Sequence, residues 1–298
     1  MITPRQLEIL VEVVRSGSVT AAASHLYVSQ PSVSATLRAL ERELGAPLFE
    51  GRGRARRLTP AGETAYGYAR EILGLLDEAR QAVVDLGGEL AGRLRLLAVT
   101  TAGEHLIPEV LEGYHSSHPG VGISLIVTNR SQARAYLAEG TVDLAVMGRP
   151  PAGLELHAEP FLDNPLHLVC APDHPVAEAP SDAALTTETL LVREEGSGSR
   201  AAVEEALGAR GVEPRTMTLG SNTAVRAAAR SGLGYAVMPE LAVASDLAAG
   251  LLVSVPLTGF PLRRQWHVVW RPDRRLSAPA AAFHSELLAW AEQHRPSG

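Results

Sequence analysis

The sequence holds one cysteine, Cys170, and no lysine, so all 27 of its basic residues are arginine. A lone thiol excludes an internal disulfide and a thiolate-rich metal site, and its ordinary place is a buried, inert position. The missing lysine reads as the codon bias of a GC-rich genome and carries no chemistry. No apolar run is long enough to span a membrane. The opening MITPRQLEILVEVVRSGSV has Glu8 and Glu12 inside its apolar pattern and no continuous apolar core, which argues against a secretory signal. A cytoplasmic protein without a membrane partner is therefore expected. At 46% hydrophobic and 20% charged residues the composition is that of a folded globular protein, which excludes disorder and a fibrous repeat. A chain of 298 residues exceeds one typical domain and predicts at least two.

A net charge of -6 argues against a nucleic-acid partner, but the charge is uneven. Residues 1–58 carry eight Arg against five Glu, a net +3, and leave -9 to the rest. A basic head on an acidic body suggests a nucleic-acid-binding module joined to something else. In the head, Leu7, Leu10, Val11 and Val14 recur at helical spacing and predict a helix over 4–15 that stops near Gly17. Ser18 caps a short helix over 19–25, Leu26 to Val28 form a turn, and Ser29 caps a third helix over 30–44 with Pro31 in its first turn. Two short helices around a tight turn fit a helix-turn-helix whose second helix enters the major groove by its N-terminal end. Ser29, Gln30, Pro31, Ser32, Ser34 and Arg38 are the candidate DNA residues, with Gln30, Ser32 and Ser34 suited to base edges. Residues 47–59 read as a wing whose Arg52, Arg54 and Arg56 pair with phosphates.

Thr59 caps a long helix beginning at Pro60. Its apolar residues Ala65, Ala69, Ile72, Leu76, Ala79, Val83 and Leu86 are spaced alternately four and three apart. This heptad seam predicts pairing of two helices rather than burial against a broad core, and Gly87 and Gly88 end it. Paired chains supply two heads for a two-fold symmetric operator, so a homodimer or homotetramer is expected.

From Leu94 onward short apolar runs alternate with helical patterns in a βαβ rhythm. Strands are expected at 94–99, 123–128, 142–147, 166–171, 190–193, 216–219, 235–238 and 267–270, and helices at 104–115, 131–139, 199–209, 223–231 and 279–294. Crossing segments near 159–163 and 263–266 join two similar lobes into a clamp, and ligands of open α/β sheets bind at strand carboxyl ends, here in the cleft. Thr100, Thr101, Ala102, Asn129, Arg149, Arg193, Ser197, Ser199 and Arg200 lie at such ends. Helix starts at Thr101 and Ser199 are expected to hold one anion from opposite lobes.

The run Ala21-Ala22-Ala23-Ser24-His25-Leu26-Tyr27-Val28-Ser29-Gln30-Pro31-Ser32-Val33-Ser34, with Leu40-Glu41-Arg42-Glu43-Leu44-Gly45, Leu48-Phe49, Arg54 and Leu58-Thr59-Pro60-Ala61-Gly62, resembles the LysR-type DNA-binding domain along its whole length. Ala35 and Gly51 depart from the pattern at positions where that family commonly carries a base. Thr100-Thr101-Ala102-Gly103-Glu104, Asp143 to Pro151, Arg193 to Arg200 and Gly259 to Trp266 resemble the sensor of LysR-type regulators of carbon-dioxide-fixation operons. The resemblance implies promoter DNA and a phosphorylated or otherwise anionic metabolite as partners.

Enzyme readings fail on their motifs. Ser197 and Ser199 do not lie in G-x-S-x-G, because Glu195 and Ala201 stand where glycine is needed. Gly232-Leu233-Gly234 has Val237 at the third glycine of a dinucleotide fingerprint, and His115 with His118 lacks a third metal ligand. A free-standing solute-binding protein shares the clamp but has no DNA head. The expectation is thus an α/β chain without catalytic residues, cofactor or metal: a winged helix-turn-helix over 1–59, a linker helix over 60–88, and a two-lobed, periplasmic-binding-protein-like effector domain over 91–298. Its first lobe comprises 91–161 and 267–298, and its second 162–266.

Overall fold

A computed structural model of the chain describes residues 1–50, 57–85 and 90–294. Two compact units, Met1–Gly87 and Gly88–Gly298, divide it. In the first, helices α1 (Pro4–Ser16), α2 (Val19–His25) and α3 (Gln30–Leu44) precede the antiparallel pair β1 (Phe49–Glu50) and β2 (Arg57–Leu58), and α4 (Pro60–Asp85) follows. The helix limits come from local chemistry. Thr3 and Gln6 form a reciprocal capping box, Ser18 and Ser29 accept from Ala21 N and Ser32 N, and Gly17 and Gly45 close their helices in the left-handed conformation. Leu7, Leu10, Val13, Ala22, Val33, Leu37 and Leu40 bury one stripe of each helix into a common core. Buried Glu12 ties α1 to α2 through His25 at 2.7 Å and also pairs with Arg15 at 2.9 Å.

The heptad seam of α4 needs correction in its first turns. Ala69 is fully buried and, with Ala65 and Leu73, packs into the core of its own unit, because α4 lies against α1. Farther along, Ile72, Leu75 and Val83 are exposed. Leu86 and the wing arginines Arg52, Arg54 and Arg56 lie outside the described residues.

The second unit begins with β3 (Gly92–Val99), α5 (Thr100–His105), α6 (Ile107–Ser117), β4 (Val121–Thr128), α7 (Arg130–Glu139), β5 (Leu144–Met147) and β6 (His157–Asp163). It continues through β7 (Leu166–Cys170), α8 (Pro175–Glu178), α9 (Asp182–Thr187), β8 (Thr189–Val192), α10 (Gly198–Gly208), β9 (Arg215–Thr218), α11 (Asn222–Arg230) and β10 (Tyr235–Pro239). Helix α12 (Glu240–Ala248), β11 (Val253–Ser254), β12 (Gln265–Trp270) and α13 (Ala278–Gln293) complete it. One five-stranded sheet has the order β4-β3-β5-β12-β6 and the other β11-β7-β10-β8-β9. Each mixes parallel strands with antiparallel ones, β12 running against both β5 and β6. Each lobe has its own core, around Leu94, Tyr114, Trp266 and Phe283 in the first and Leu168, Val203 and Tyr235 in the second.

Two differences from the sequence reading bear on the cleft. The crossing segments are themselves strands: Leu162 and Asp163 pair with Trp266 and Gln265 inside the first sheet, so the chain changes lobe at Asn164 and Arg264, where Asn164 N donates to Arg264 O at 2.7 Å. The helix expected over 104–115 is two helices that meet at Leu106, and the first starts at Thr100, directly off the strand. Gly103 permits this, since a Cβ there would come within 2.7 Å of Val127.

Candidate functional site

In the first unit, Ser29, Gln30, Pro31, Ser32 and Arg38 are exposed and Ser34 is half-buried, all on or just before α3, while Val33, Leu37 and Leu40 face the core. The period of the helix separates these two sets. Ser29 spends its hydroxyl on the cap at 3.3 Å from Ser32 N. Gln30 and Ser32 project from the first turn, the part of a recognition helix that reaches base edges.

In the second unit the lobes face each other across a small cavity of about 40 Å³. The strand ends supply its walls: Thr100 and Thr101 after β3, Asn129 and Arg130 after β4, Gly148 and Arg149 after β5, Arg193 after β8, and Ser197 to Ser199 at the start of α10. Asn164 and Arg264 come from the two points where the chain changes lobe, and Trp266 comes from β12. Several bonds join the lobes. Asn222 Nδ2 donates to Thr101 Oγ1 at 2.9 Å, Arg193 Nη2 to Thr100 Oγ1 at 3.4 Å, and Ser131 N to Gly196 O at 3.1 Å. Gly196 has φ +84 and would bring a Cβ within 2.7 Å of Ser131, so this close approach requires glycine.

Four arginines and no carboxylate line the cavity. Arg193 is held by Glu194 at 2.8 Å and by Asn222 Oδ1 at 2.6 Å, and exposed Arg149 lies 3.4 Å from Glu205 on α10. Arg130 and Arg264 donate to carbonyl oxygens, Arg130 to Arg149 O and Pro150 O and Arg264 to Gly198 O at 3.2 Å. Burial lowers the pKa of Arg264, and the nearby Arg130 and Arg149 lower it further against Glu205. Burial followed by Arg149 does the same to Arg130. Burial alone would raise Glu194, but its hydrogen bonds with Arg193 hold it below the usual carboxylate range. Arg130, Arg149 and Arg264 thus act on one another as like charges, only partly offset by Glu205. Arg130, Gly148, Arg149, Gly198 and Arg264 also border a groove of about 950 Å³ along α10 and residues 259–265.

Of the nine expected effector residues, Thr100, Thr101, Asn129, Arg149, Arg193, Ser197 and Ser199 line this cavity. Ala102 does not: the helix turns it into the first lobe's core, where it is fully buried. Arg200 faces a neighbouring pocket, pairs with Glu204 at 2.7 Å and braces Arg193 O. Arg130, in the strand-end run Asn129-Arg130-Ser131, lines the cavity as well, whereas sequence reasoning missed Asn164, Asn222, Arg264 and Trp266 as wall or bridging residues. Among the described residues no group of three His, Cys, Asp or Glu is placed to hold a metal, and His118 instead bonds Glu286 at 2.8 Å.

Two protein-family models match the chain: the LysR substrate binding domain over residues 87–292, and the bacterial regulatory helix-turn-helix protein, lysR family, over residues 4–63. The RuBisCO operon transcriptional regulator of Allochromatium vinosum is 41% identical over 290 residues, 96% of either chain. The solved regulatory domain of CcmR from Synechocystis PCC6803 in complex with 2-PG is 35% identical, covers 68% of this chain and 99% of its own, and has a TM-score of 0.64. A full-length OxyR variant from Pseudomonas aeruginosa has a TM-score of 0.73 at 28% identity, with 99% of this chain and 96% of that one covered.

Proposed function

Since this chain belongs to the LysR family of bacterial transcriptional regulators, we propose that it takes a small phosphorylated acid between its sensor lobes and that occupancy changes its engagement of promoter DNA. It is a DNA-binding regulator and not an enzyme. The observation that carries the effector reading is the cavity wall of Arg130, Arg149, Arg193 and Arg264, with the hydroxyls of Thr100, Thr101, Ser197 and Ser199 between them and no carboxylate among the lining residues. Guanidinium groups pair geometrically with phosphate and carboxylate oxygens. The N-terminus of α10, an eleven-residue helix, adds backbone donors at Ser199. The 2-PG complex of the similar Synechocystis domain supports the same class, because 2-phosphoglycolate carries one phosphate and one carboxylate. A ligand that touches both lobes favours their closed arrangement by its differential affinity.

On the DNA side, Gln30, Ser32 and Ser34 are assigned to base edges, Ser29, Pro31 and Arg38 to the rim of that contact, and Arg52, Arg54 and Arg56 to phosphates. The exposed later stretch of α4 is assigned to a homodimer or homotetramer contact. We place the protein in the cytoplasm, where its promoter and metabolite are found, and none of its described helices is long and apolar enough to cross a membrane.

Thermal melting of the full chain tests the effector assignment. 2-Phosphoglycolate or a related phosphorylated acid is expected to raise the midpoint of the wild type and to lose that effect in Thr101→Val. Stabilisation by neutral or cationic compounds alone overturns the anion site. Gel shifts test the head: Gln30→Ala is expected to relax preference at one base position while leaving the salt dependence unchanged.

A further inference from the structure

Among the described residues one side chain sits on a backbone conformation that glycine ordinarily takes. Tyr27, in the turn between α2 and α3, has φ +53, and every other described residue with positive φ is glycine. The turn imposes this angle. Val28 N donates to Ala23 O at 3.0 Å and Tyr27 N to Ser24 O at 3.3 Å, the pattern in which a helix ends on a left-handed residue. Gly17, Gly45 and Gly140 fill that place after α1, α3 and α7. A tyrosine there presses its Cβ against the neighbouring carbonyl, a clash that glycine avoids. Its ring returns nothing to the fold, since Tyr27 is 96% exposed and its side chain makes no hydrogen bond among the described residues. Strain kept without a gain in folding points to a function for the side chain that is held there.

The place of the ring says what it meets. Leu26 and Val28, on either side, pack against the core of the first unit, so the turn is anchored and Tyr27 stands out from it. Ser29 caps α3 two residues on, and exposed Gln30 and Ser32 follow in the first turn of that helix. A helix that enters the major groove by its N-terminal end carries the turn before it past the rim of the groove, where the phosphates stand. A phenol suits that rim, because its hydroxyl donates to a phosphate oxygen. Resting on the DNA reading of this head, we infer that Tyr27 is a DNA-backbone contact whose hydroxyl donates to a phosphodiester oxygen at the edge of the groove read by α3. It fixes the recognition helix in place and carries no sequence information of its own.

Fluorescence anisotropy of the full chain on the duplex flanking its own gene and on an unrelated duplex tests this. Tyr27→Phe keeps the ring and removes the hydroxyl, and affinity is expected to fall about tenfold on both duplexes, the effect of one hydrogen bond to a charged acceptor. The preference between the duplexes is expected to hold, and so is the salt slope, because a neutral phenol displaces no counterion. Tyr27→Gly is expected to weaken DNA binding at least as much while raising the urea midpoint, since glycine takes φ +53 without the clash. Weaker binding by a more stable chain separates a DNA contact from damage to the fold. Wild-type affinity in Tyr27→Phe overturns the contact, and a loss confined to one duplex overturns it by making Tyr27 a base reader. A lower urea midpoint in Tyr27→Gly overturns it in favour of a role in folding, and dissociation of that variant in sedimentation does so in favour of a contact between protein chains. If the wild type binds neither duplex at low salt, the DNA reading of the head falls as well.

Discussion

Arg264→Met separates what the cleft needs for binding from what it needs for stability. The guanidinium sits largely buried, its Nη1 donates to Gly198 O at 3.2 Å, and Arg130 and Arg149 press on it with like charge. Methionine has similar length and an adaptable apolar chain, so the space stays filled. The folded protein loses one hydrogen bond to a neutral acceptor, about 1 kcal/mol, and gains relief from desolvation and from repulsion. These oppose each other, and the melting midpoint is expected to stay level or rise. Binding has no such offset. An anion seated on the cavity loses a charge-assisted hydrogen bond of about 1.5–3 kcal/mol, which weakens it roughly 10- to 150-fold. Calorimetric melting paired with titration of the most stabilising phosphorylated acid measures both effects. A midpoint that drops sharply while affinity holds would instead make Arg264 a structural arginine with no part in binding.

Gly62→Ala places a Cβ 2.0 Å from Leu48 O, whereas Gly67→Ala on the same helix meets nothing within 4 Å. Urea unfolding is expected to show a loss of about 3 kcal/mol or more for the first and a gain of up to about 1 kcal/mol for the second. Burial pushes the Cys170 thiol up to about 11, so at pH 8 it stays protonated as well as enclosed. An aromatic disulfide reagent is expected to leave it untouched in the native chain and to titrate one thiol after unfolding; rapid native reaction would show that the second lobe's core opens. Leu76 borders an apolar groove with Tyr68 and Ile72 on α4, and sedimentation of Leu76→Asp is expected to show smaller species, while an unchanged assembly moves the oligomer contact elsewhere.

Much of the fold was legible because its signals are local. Ser18, Ser29, Gly17 and Gly45 mark helix ends by their own chemistry, and the apolar runs of the sensor mark strands within two residues or so of their limits. Helix α12 went unread because Pro239 precedes it without a side-chain cap and Leu241, Ala242 and Val243 form a run with no clear period. The site was half legible for the same reason. Residues at strand ends are found by counting along the chain, but Asn164 and Arg264 enter where the chain changes lobe, Trp266 from β12, and Asn222 of α11 reaches Thr101 only through the packing of the two lobes. Ala102 was assigned with its neighbours, and the rotation of one helical residue carried it into the core. Arg263-Arg264, quoted above for the sensor resemblance, held a signal for one missed residue; its neighbour Arg263 lies along the outer groove.

Under the proposed function, an anion in the sensor cleft changes how this regulator sits on DNA. DNase footprinting of the full chain on the DNA flanking its own gene, across a titration of the phosphorylated acid that most raises its melting midpoint, tests this directly. The protected region is expected to change in extent or occupancy at the concentrations that saturate the cleft, and Thr101→Val is expected to keep the footprint but lose the change. A footprint indifferent to saturating ligand, or one that responds equally in Thr101→Val, would contradict it.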